Sequence, residues 1–185
     1  MRLYTYQSPE VISQLWHDRQ YRPSWDRCTW LTGDIGTYCC FNPAYRWLVE
    51  QYSKRRPQFA TEDPLVWWYT HINQARKELY HERGLCLFGA EVPEERILLH
   101  DADAWYAVLG NYPYNHTQPA FDTLSYEELD RREDLYHKPE NAAAKRATWE
   151  NIFHLPRRDR QEQTIHAVTD CILLKWLEDG EMESL

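Results

Sequence analysis

Apolar residues recur at helical intervals in two stretches of the chain that open in the same way. Each begins with a capping residue followed by proline, Ser8-Pro9 and Asn42-Pro43, which suits the first turn of a helix. The apolar residues that follow lie three and four positions apart and therefore share one face. They are Val11, Ile12, Leu15 and Trp16 in the first stretch and Tyr45, Leu48, Val49 and Tyr52 in the second.

Other segments are apolar or alternating over four to eight residues, a pattern that predicts strands. These segments are residues 3–7, 65–72, 85–92, 97–100 and 164–169, with a further short one within 172–177. Residues 65–72 are apolar on both faces, so we expect that strand at the centre of a sheet. Further helices are predicted after Asp101 or Asp103, from Ser125 and after Pro139. The predicted fold class is α+β or α/β, a small mixed β-sheet flanked by four to five helices.

The length of 185 residues fits a single domain over 1–185. We expect its core elements at about 1–110 and 140–178, with the loop and charged helix of 112–139 more peripheral. Nine Trp, thirteen Tyr and five Phe indicate that aromatic clusters supply much of the packing. Rings of this kind are also enriched where proteins bind partners, so some of them are candidates for a pocket or a partner surface.

The net charge of −8 argues against a general nucleic-acid ligand and is compatible with docking onto a basic partner. The five cysteines lack paired metal-binding spacing, which favours free thiols in a reducing compartment and predicts no metal. The chain opens without a signal-peptide pattern and holds no run of 18 apolar residues. We therefore expect a cytoplasmic protein that does not span a membrane.

Two segments are specific enough to carry a family resemblance: residues 101–109 and residues 149–153. Weaker matches follow the same order along the chain, at residues 3–7, 44–51, 66–69 and 91–99 and at Gln163. With these segments the chain resembles the bacterial family catalogued as domain of unknown function 3841. It departs from the family at residues 73–78, where similar proteins carry a basic segment with proline. The resemblance implies an architecture rather than an activity.

Candidate binding residues follow two of the predicted strands. Trp67, Tyr69 and His71 either present alternate rings to a pocket that stacks a nucleobase or nicotinamide, or belong to a strand buried on both faces. Asp101 and Asp103 follow an apolar strand and His100. They are either helix caps or a carboxylate pair for a divalent cation or for acid–base chemistry.

Candidate catalytic residues lie on the first and last predicted strands: Thr5, Gln7, Glu162, Gln163 and His166. If these strands were neighbours, the polar groups would line one cleft. The order of elements is similar to that of ADP-ribosyltransferase-like folds, in which a late strand carries a catalytic glutamate. At the head of this late strand the chain carries Gln161-Glu162-Gln163 and not the Gln/Glu-x-Glu signature of those folds.

Two functions stay open at this point. The first is an intracellular protein-interaction or inhibitor protein without a cofactor, acting on a host macromolecule, a phage or mobile element being one source of such a protein. It is favoured because the chain has six glycines and lacks phosphate-loop, dinucleotide-loop, nucleophile-elbow and HExxH motifs. The alternative is an ADP-ribosyltransferase-like enzyme that uses NAD.

Overall fold

A computed structural model describes residues 1–28, 41–79, 84–114, 125, 127–128, 130–131, 138–155, 164–177 and 182–184. The strands are β1 Arg2–Gln7, β2 Gln20–Tyr21, β3 Val66–Tyr69, β4 Cys86–Glu91, β5 Leu98–Asp101, β6 Ile165–Thr169, β7 Ile172–Leu173 and β8 Met182–Ser184. The α-helices are α1 Pro9–Asp18, α2 Asn42–Arg55, α3 Ile72–Leu79, α4 Ala102–Leu109 and α5 Ala142–Trp149. The predicted helix from Ser125 lies largely outside the described residues.

Six of the strands form one sheet in the order β5-β6-β3-β1-β4-β8, and β2 and β7 form a two-stranded sheet. Every pairing whose register is described is antiparallel, so the α+β class is confirmed. The prediction of a central position for β3 is also confirmed. Pairing is uneven, because β1 pairs with β4 over six residues and β3 with β6 over four, whereas β1 and β3 share the single pair Tyr4–Tyr69.

The described chain divides into two compact units. The first comprises Met1–Leu99 with Ile165–Leu185, and the second comprises His100–Thr164. In the first unit, one face of the sheet buries Leu3, Trp68 and Phe88 against α1. Because side chains alternate along a strand, the opposite face carries Tyr69 and Leu87, which pack against α3.

The local sequence signals account for the starts of α1 and α2. Ser8 Oγ accepts a hydrogen bond from Val11 N at 3.5 Å, which confirms the predicted cap of α1. Trp16 was predicted on the buried face of α1 and is instead 53% exposed, because Leu15 fills the core position. Asn42 is itself the first residue of α2 rather than its cap, and its Oδ1 accepts from Arg46 Nε at 2.7 Å.

The second unit is built from α4, α5 and the turn Glu150–Phe153 that follows α5. Trp105 and Trp149 are buried in this unit. Trp149 Nε1 donates to the carbonyl of Tyr112 at 2.7 Å, which fixes the chain after α4. A buried indole N–H needs such a partner to offset the loss of its contact with water.

Candidate functional site

Four rings lie next to one another on a single face of the sheet, and we call them the ring row: Tyr6, Tyr69, Trp67 and His166. Tyr6 and Tyr69 stack with their ring centroids 5.7 Å apart. The edge-on contacts that follow place His166 4.8 Å from Tyr69 and 5.8 Å from Trp67. The residues come from β1, β3 and β6, so the row crosses three neighbouring strands.

The register of the strands explains the row. Tyr69 lies directly opposite His166 in the β3–β6 pairing and opposite Tyr4 in the β1–β3 pairing. Side chains two residues apart on a strand share a face, which adds Trp67 and Tyr6 to the same side. Tyr69 is buried, whereas Tyr6, Trp67 and His166 are half-buried.

Hydrogen bonds between ring substituents fix the row. Trp67 Nε1 donates to His166 Nδ1 at 3.0 Å, so a neutral His166 carries its proton on Nε2. Tyr69 donates from its hydroxyl to the hydroxyl of Tyr6 at 3.2 Å. Tyr45 of α2 packs beside Trp67 with ring centroids 6.0 Å apart. The rings are therefore held in position before any ligand or partner binds.

The ring row also spans the junction between the two halves of the sheet. Tyr4–Tyr69 is the one residue pair described between β1 and β3. Tyr6 and Trp67 each lie two residues along their strand from this pair. Groups at such a junction are well placed to contact a ligand or a partner without breaking strand pairing.

The structure brings together three of the residues selected from the sequence, Trp67, Tyr69 and His166, and separates the others. Thr5 is buried and accepts a hydrogen bond from Gln7 Nε2 at 3.0 Å. Both side chains lie on the opposite face from His166, because they alternate with Tyr6. In addition, β3 lies between β1 and β6, so the two polar strands are not neighbours. Glu162 and Gln163 lie outside the described residues.

The remaining candidates have local structural roles. His71 is exposed at the turn between β3 and α3. Asp101 caps α4, and its Oδ1 accepts from Asp103 N at 2.9 Å and from Ala104 N at 3.0 Å, which confirms the cap interpretation. Burial and the neighbouring Asp101 charge raise the pKa of Asp103. Among the described residues, no group of three or more histidine, cysteine or acidic side chains is arranged to hold a metal ion.

A second polar site surrounds the carboxylate of Asp170, and we call it the Asp170 network. Arg96 Nη1 donates to both carboxylate oxygens, at 2.8 and 2.9 Å. Arg22 Nη1 donates to Oδ2 at 3.0 Å, and the hydroxyl of Tyr52 donates to Oδ1 at 3.1 Å. Residues far apart in the sequence thus converge on one carboxylate, whose side chain is 1% exposed.

Aromatic rings and a thiol enclose this network. The guanidinium of Arg96 lies 3.8 Å from the centroid of the Phe59 ring and 5.7 Å from that of Trp176. Its Nη1 also contacts Cys171 Sγ at 3.3 Å. Burial and the nearby Asp170 charge raise the pKa of Cys171 to about 11, and the same two causes raise the pKa of Tyr52.

The sequence contained a signal for two of the residues that the predictions missed, Tyr6 and Asp170. Along β1, Thr5 and Gln7 lie on the same face as the aliphatic Leu3, which indicates that this face packs in the core. Tyr6 lies on the opposite face and is therefore the better candidate for a site. Asp170 interrupts a run of apolar residues after β6, and a charge in such a run requires a buried partner. The residue that pairs with Asp170 could not be predicted from neighbouring positions, because Arg22 is 148 residues away in the sequence.

Comparison with protein-family models identifies the family to which the chain belongs. The family model described as Domain of unknown function (DUF3841) matches residues 2–170. Neither the comparison with curated proteins nor the comparison with solved structures gives a match. Within the described part of the chain, no helix has the length and apolar character needed to cross a membrane.

Proposed function

Because the chain belongs to the family of the domain of unknown function 3841, whose description names no activity, we propose a function from the geometry of the site. The protein binds a protein partner through the ring row and does not catalyse a reaction there. The observation that carries this proposal is the line of Tyr6, Tyr69, His166 and Trp67, of which three rings are half-buried on one sheet face.

Rings that are fixed and partly exposed are suited to a partner interface. Tyrosine and tryptophan are enriched among the residues that contribute most to protein–protein binding energy. The hydrogen bond from Trp67 to His166 and the stacking of Tyr6 on Tyr69 reduce the freedom that these side chains lose on binding. A partner side chain that packs on Tyr6 and Trp67 therefore contacts a rigid aromatic surface.

The charge of the chain indicates the chemistry of the partner. A net charge of −8 attracts a basic surface, and arginine or lysine side chains stack favourably on aromatic faces. The chain uses this contact within its own fold, where Arg46 lies 4.4 Å from the centroid of the Trp25 ring. We expect the partner to place an arginine or lysine against Trp67 or Tyr6.

The test measures binding after the rings are removed. A photo-cross-linking residue at position 71, which is exposed just after β3, captures the partner. The partner is then purified, and its Kd is measured for the original chain and for variants. Trp67→Leu and Tyr6→Leu should each weaken binding about 30-fold, the equivalent of about 2 kcal/mol at a hot spot. Trp16→Leu is the matched control, because Trp16 is 53% exposed on α1 and lies outside the ring row.

Two results would contradict this function. One is a Trp16→Leu variant that loses as much affinity as the ring-row variants while all of them keep their folded circular dichroism spectra. The other is an affinity that does not fall as salt concentration rises, because a basic partner on an acidic chain is held in part by screened charges.

The NAD-dependent transferase is the second candidate. The observation that favours it is the grouping of the Trp67, Tyr69 and His166 rings on one sheet face, against which a nicotinamide ring can stack. A transferase also needs a carboxylate in the same cleft, and Glu162 is the residue predicted for that role. Incubation with labelled NAD and cell lysate separates the two functions. Labelling that Glu162→Ala abolishes supports the enzyme, and absence of labelling supports the binding protein.

A further inference from the structure

The Asp170 network holds more positive than negative charge. Two guanidinium groups, those of Arg22 and Arg96, bond to one carboxylate, and the neighbouring polar group Tyr52 is a neutral hydroxyl. Arg56 lies nearby in the fold, and it donates three hydrogen bonds to the carbonyls of Ile97 and Arg55. The cluster of Arg22, Arg96 and Asp170 therefore carries one unit of unbalanced positive charge.

Both arginines keep donors that the Asp170 network does not use. A guanidinium has five N–H groups in a fixed plane. Among the described residues, the hydrogen-bond partners of Arg22 and Arg96 are reached through Nη1 alone. The side chain of Arg22 is 49% exposed and that of Arg96 is 20% exposed. Their Nε and Nη2 groups are thus available to a ligand that approaches from solvent.

A third donor lies beside them. The side chain of Trp176 is buried, with 4% of the residue exposed, and its Nε1 donates to no acceptor within the described part of the chain. The centroid of its ring lies 5.7 Å from Arg96 Cζ. A buried indole N–H normally pairs with an acceptor. An oxyanion held by Arg96 would lie next to this ring.

We propose that Arg22, Arg96 and Trp176 form a binding site for an oxyanion, the carboxylate or phosphate group of a ligand. Guanidinium groups bind both through paired N–H···O bonds, in which two oxygens of the ligand each accept from the fork. One such group balances the unpaired positive charge next to Asp170. This site is distinct from the ring row, so its failure leaves the proposed partner binding untouched.

The test titrates the protein with inorganic phosphate and, separately, with acetate, in chloride buffer at constant ionic strength. The indole N–H resonance of Trp176, assigned by its loss in Trp176→Phe, reports on the site. We expect a saturable shift of this resonance with at least one of the two anions. Saturation by phosphate alone identifies a phosphate ligand, and saturation by acetate alone identifies a carboxylate ligand.

Variants of Arg22 show whether the shift arises at this site. Arg22→Gln should lower the affinity for the anion at least tenfold. Arg22→Lys should lower it to the same extent, while its ammonium group keeps the ion pair with Asp170 and the fold. Arg27→Gln is the matched control, because it removes the same charge from a guanidinium that bonds to Gln14 instead. The proposal is overturned if neither anion shifts the Trp176 resonance saturably, or if Arg27→Gln weakens binding as much as both Arg22 variants.

Discussion

The Asp170 network and the ring row both join distant segments of the same unit, but they differ in how they meet water. The carboxylate of Asp170 is enclosed, and both of its oxygens accept hydrogen bonds from protein groups. In the ring row, Tyr69 is buried while Tyr6 and Trp67 are half-buried, and the hydrogen bonds join neutral groups. The first region is closed around a charge, and the second presents apolar surface.

This difference separates stability from binding. Removing one partner of a buried ion pair leaves an uncompensated charge, which is costly to the fold. Removing a hydrogen bond between partly exposed neutral groups costs much less, because water replaces the lost partner. We therefore expect substitution of the buried carboxylate, Asp170, to act mainly on folding, and substitutions in the ring row to act mainly on partner binding.

The largest expected effect is that of Asp170→Ala. The substitution leaves Arg96 with a largely buried charge and removes one of the two acceptors near the Tyr52 hydroxyl, the other being the carbonyl of Arg96. The free energy of unfolding should therefore fall by about 3–5 kcal/mol. Urea denaturation followed by circular dichroism measures this change. Asp26→Ala, at an exposed position, should stay within about 0.5 kcal/mol of the original chain. Equal effects of the two substitutions would show that the network contributes little to stability.

The next effect is a loss of stability at alkaline pH. The pKa of Cys171 is raised from 9.0 to about 11, so the folded state holds the thiol proton more tightly than the unfolded state does. The resulting contribution to the free energy of unfolding is complete below pH 9 and declines as the pH rises toward 11. The loss reaches about 2 kcal/mol at pH 11. The raised pKa of Tyr52 acts in the same direction from pH 10 upward.

Cys171→Ala tests the assignment of this alkaline loss. The variant has no thiol to titrate, so its unfolding free energy should decline less between pH 8 and pH 11 than that of the original chain. The difference in unfolding free energy between pH 8 and pH 11 is taken within each protein. The stability lost by replacing Cys171 with the smaller alanine is present at both pH values and therefore cancels. Parallel declines in the two proteins would assign the alkaline loss to other groups.

Features set by neighbouring residues could be predicted from the sequence, whereas features set by strand order could not. The caps at Ser8 and Asp101 depend on bonds that span two or three residues, and both were predicted. The choice of Thr5 and Gln7 assumed that the first and last strands are neighbours, and β3 lies between them. The long-range contact of Arg22 with Asp170 depends on the same topology, which hydrophobic spacing does not encode.

A smaller effect is expected from Trp67→Phe. The phenyl ring keeps most of the packing against Tyr45 and His166 but lacks the N–H that donates to His166 Nδ1. The free energy of unfolding should fall by about 1 kcal/mol, the usual net contribution of one hydrogen bond. Trp16→Phe is the control for the loss of an indole and should change stability little, because Trp16 is exposed. A loss of 3 kcal/mol or more at Trp67 would mean that the ring row is part of the core.

The smallest effect concerns the hydroxyl groups of Tyr6 and Tyr69. Their oxygens are 3.2 Å apart, longer than the 2.7–2.8 Å that is typical of O–H···O bonds. The rings also remain stacked in both Tyr→Phe variants, so the contact that dominates this pair is kept. A double-mutant cycle of Tyr6→Phe and Tyr69→Phe should therefore give a coupling energy of about 0.5 kcal/mol or less in urea denaturation. A coupling above about 1.5 kcal/mol would place this pair with the enclosed polar groups of the Asp170 network. A small coupling energy means that the hydrogen bond between the two hydroxyl groups is weak. Either hydroxyl group can then replace it with a hydrogen bond to a bound partner at little cost.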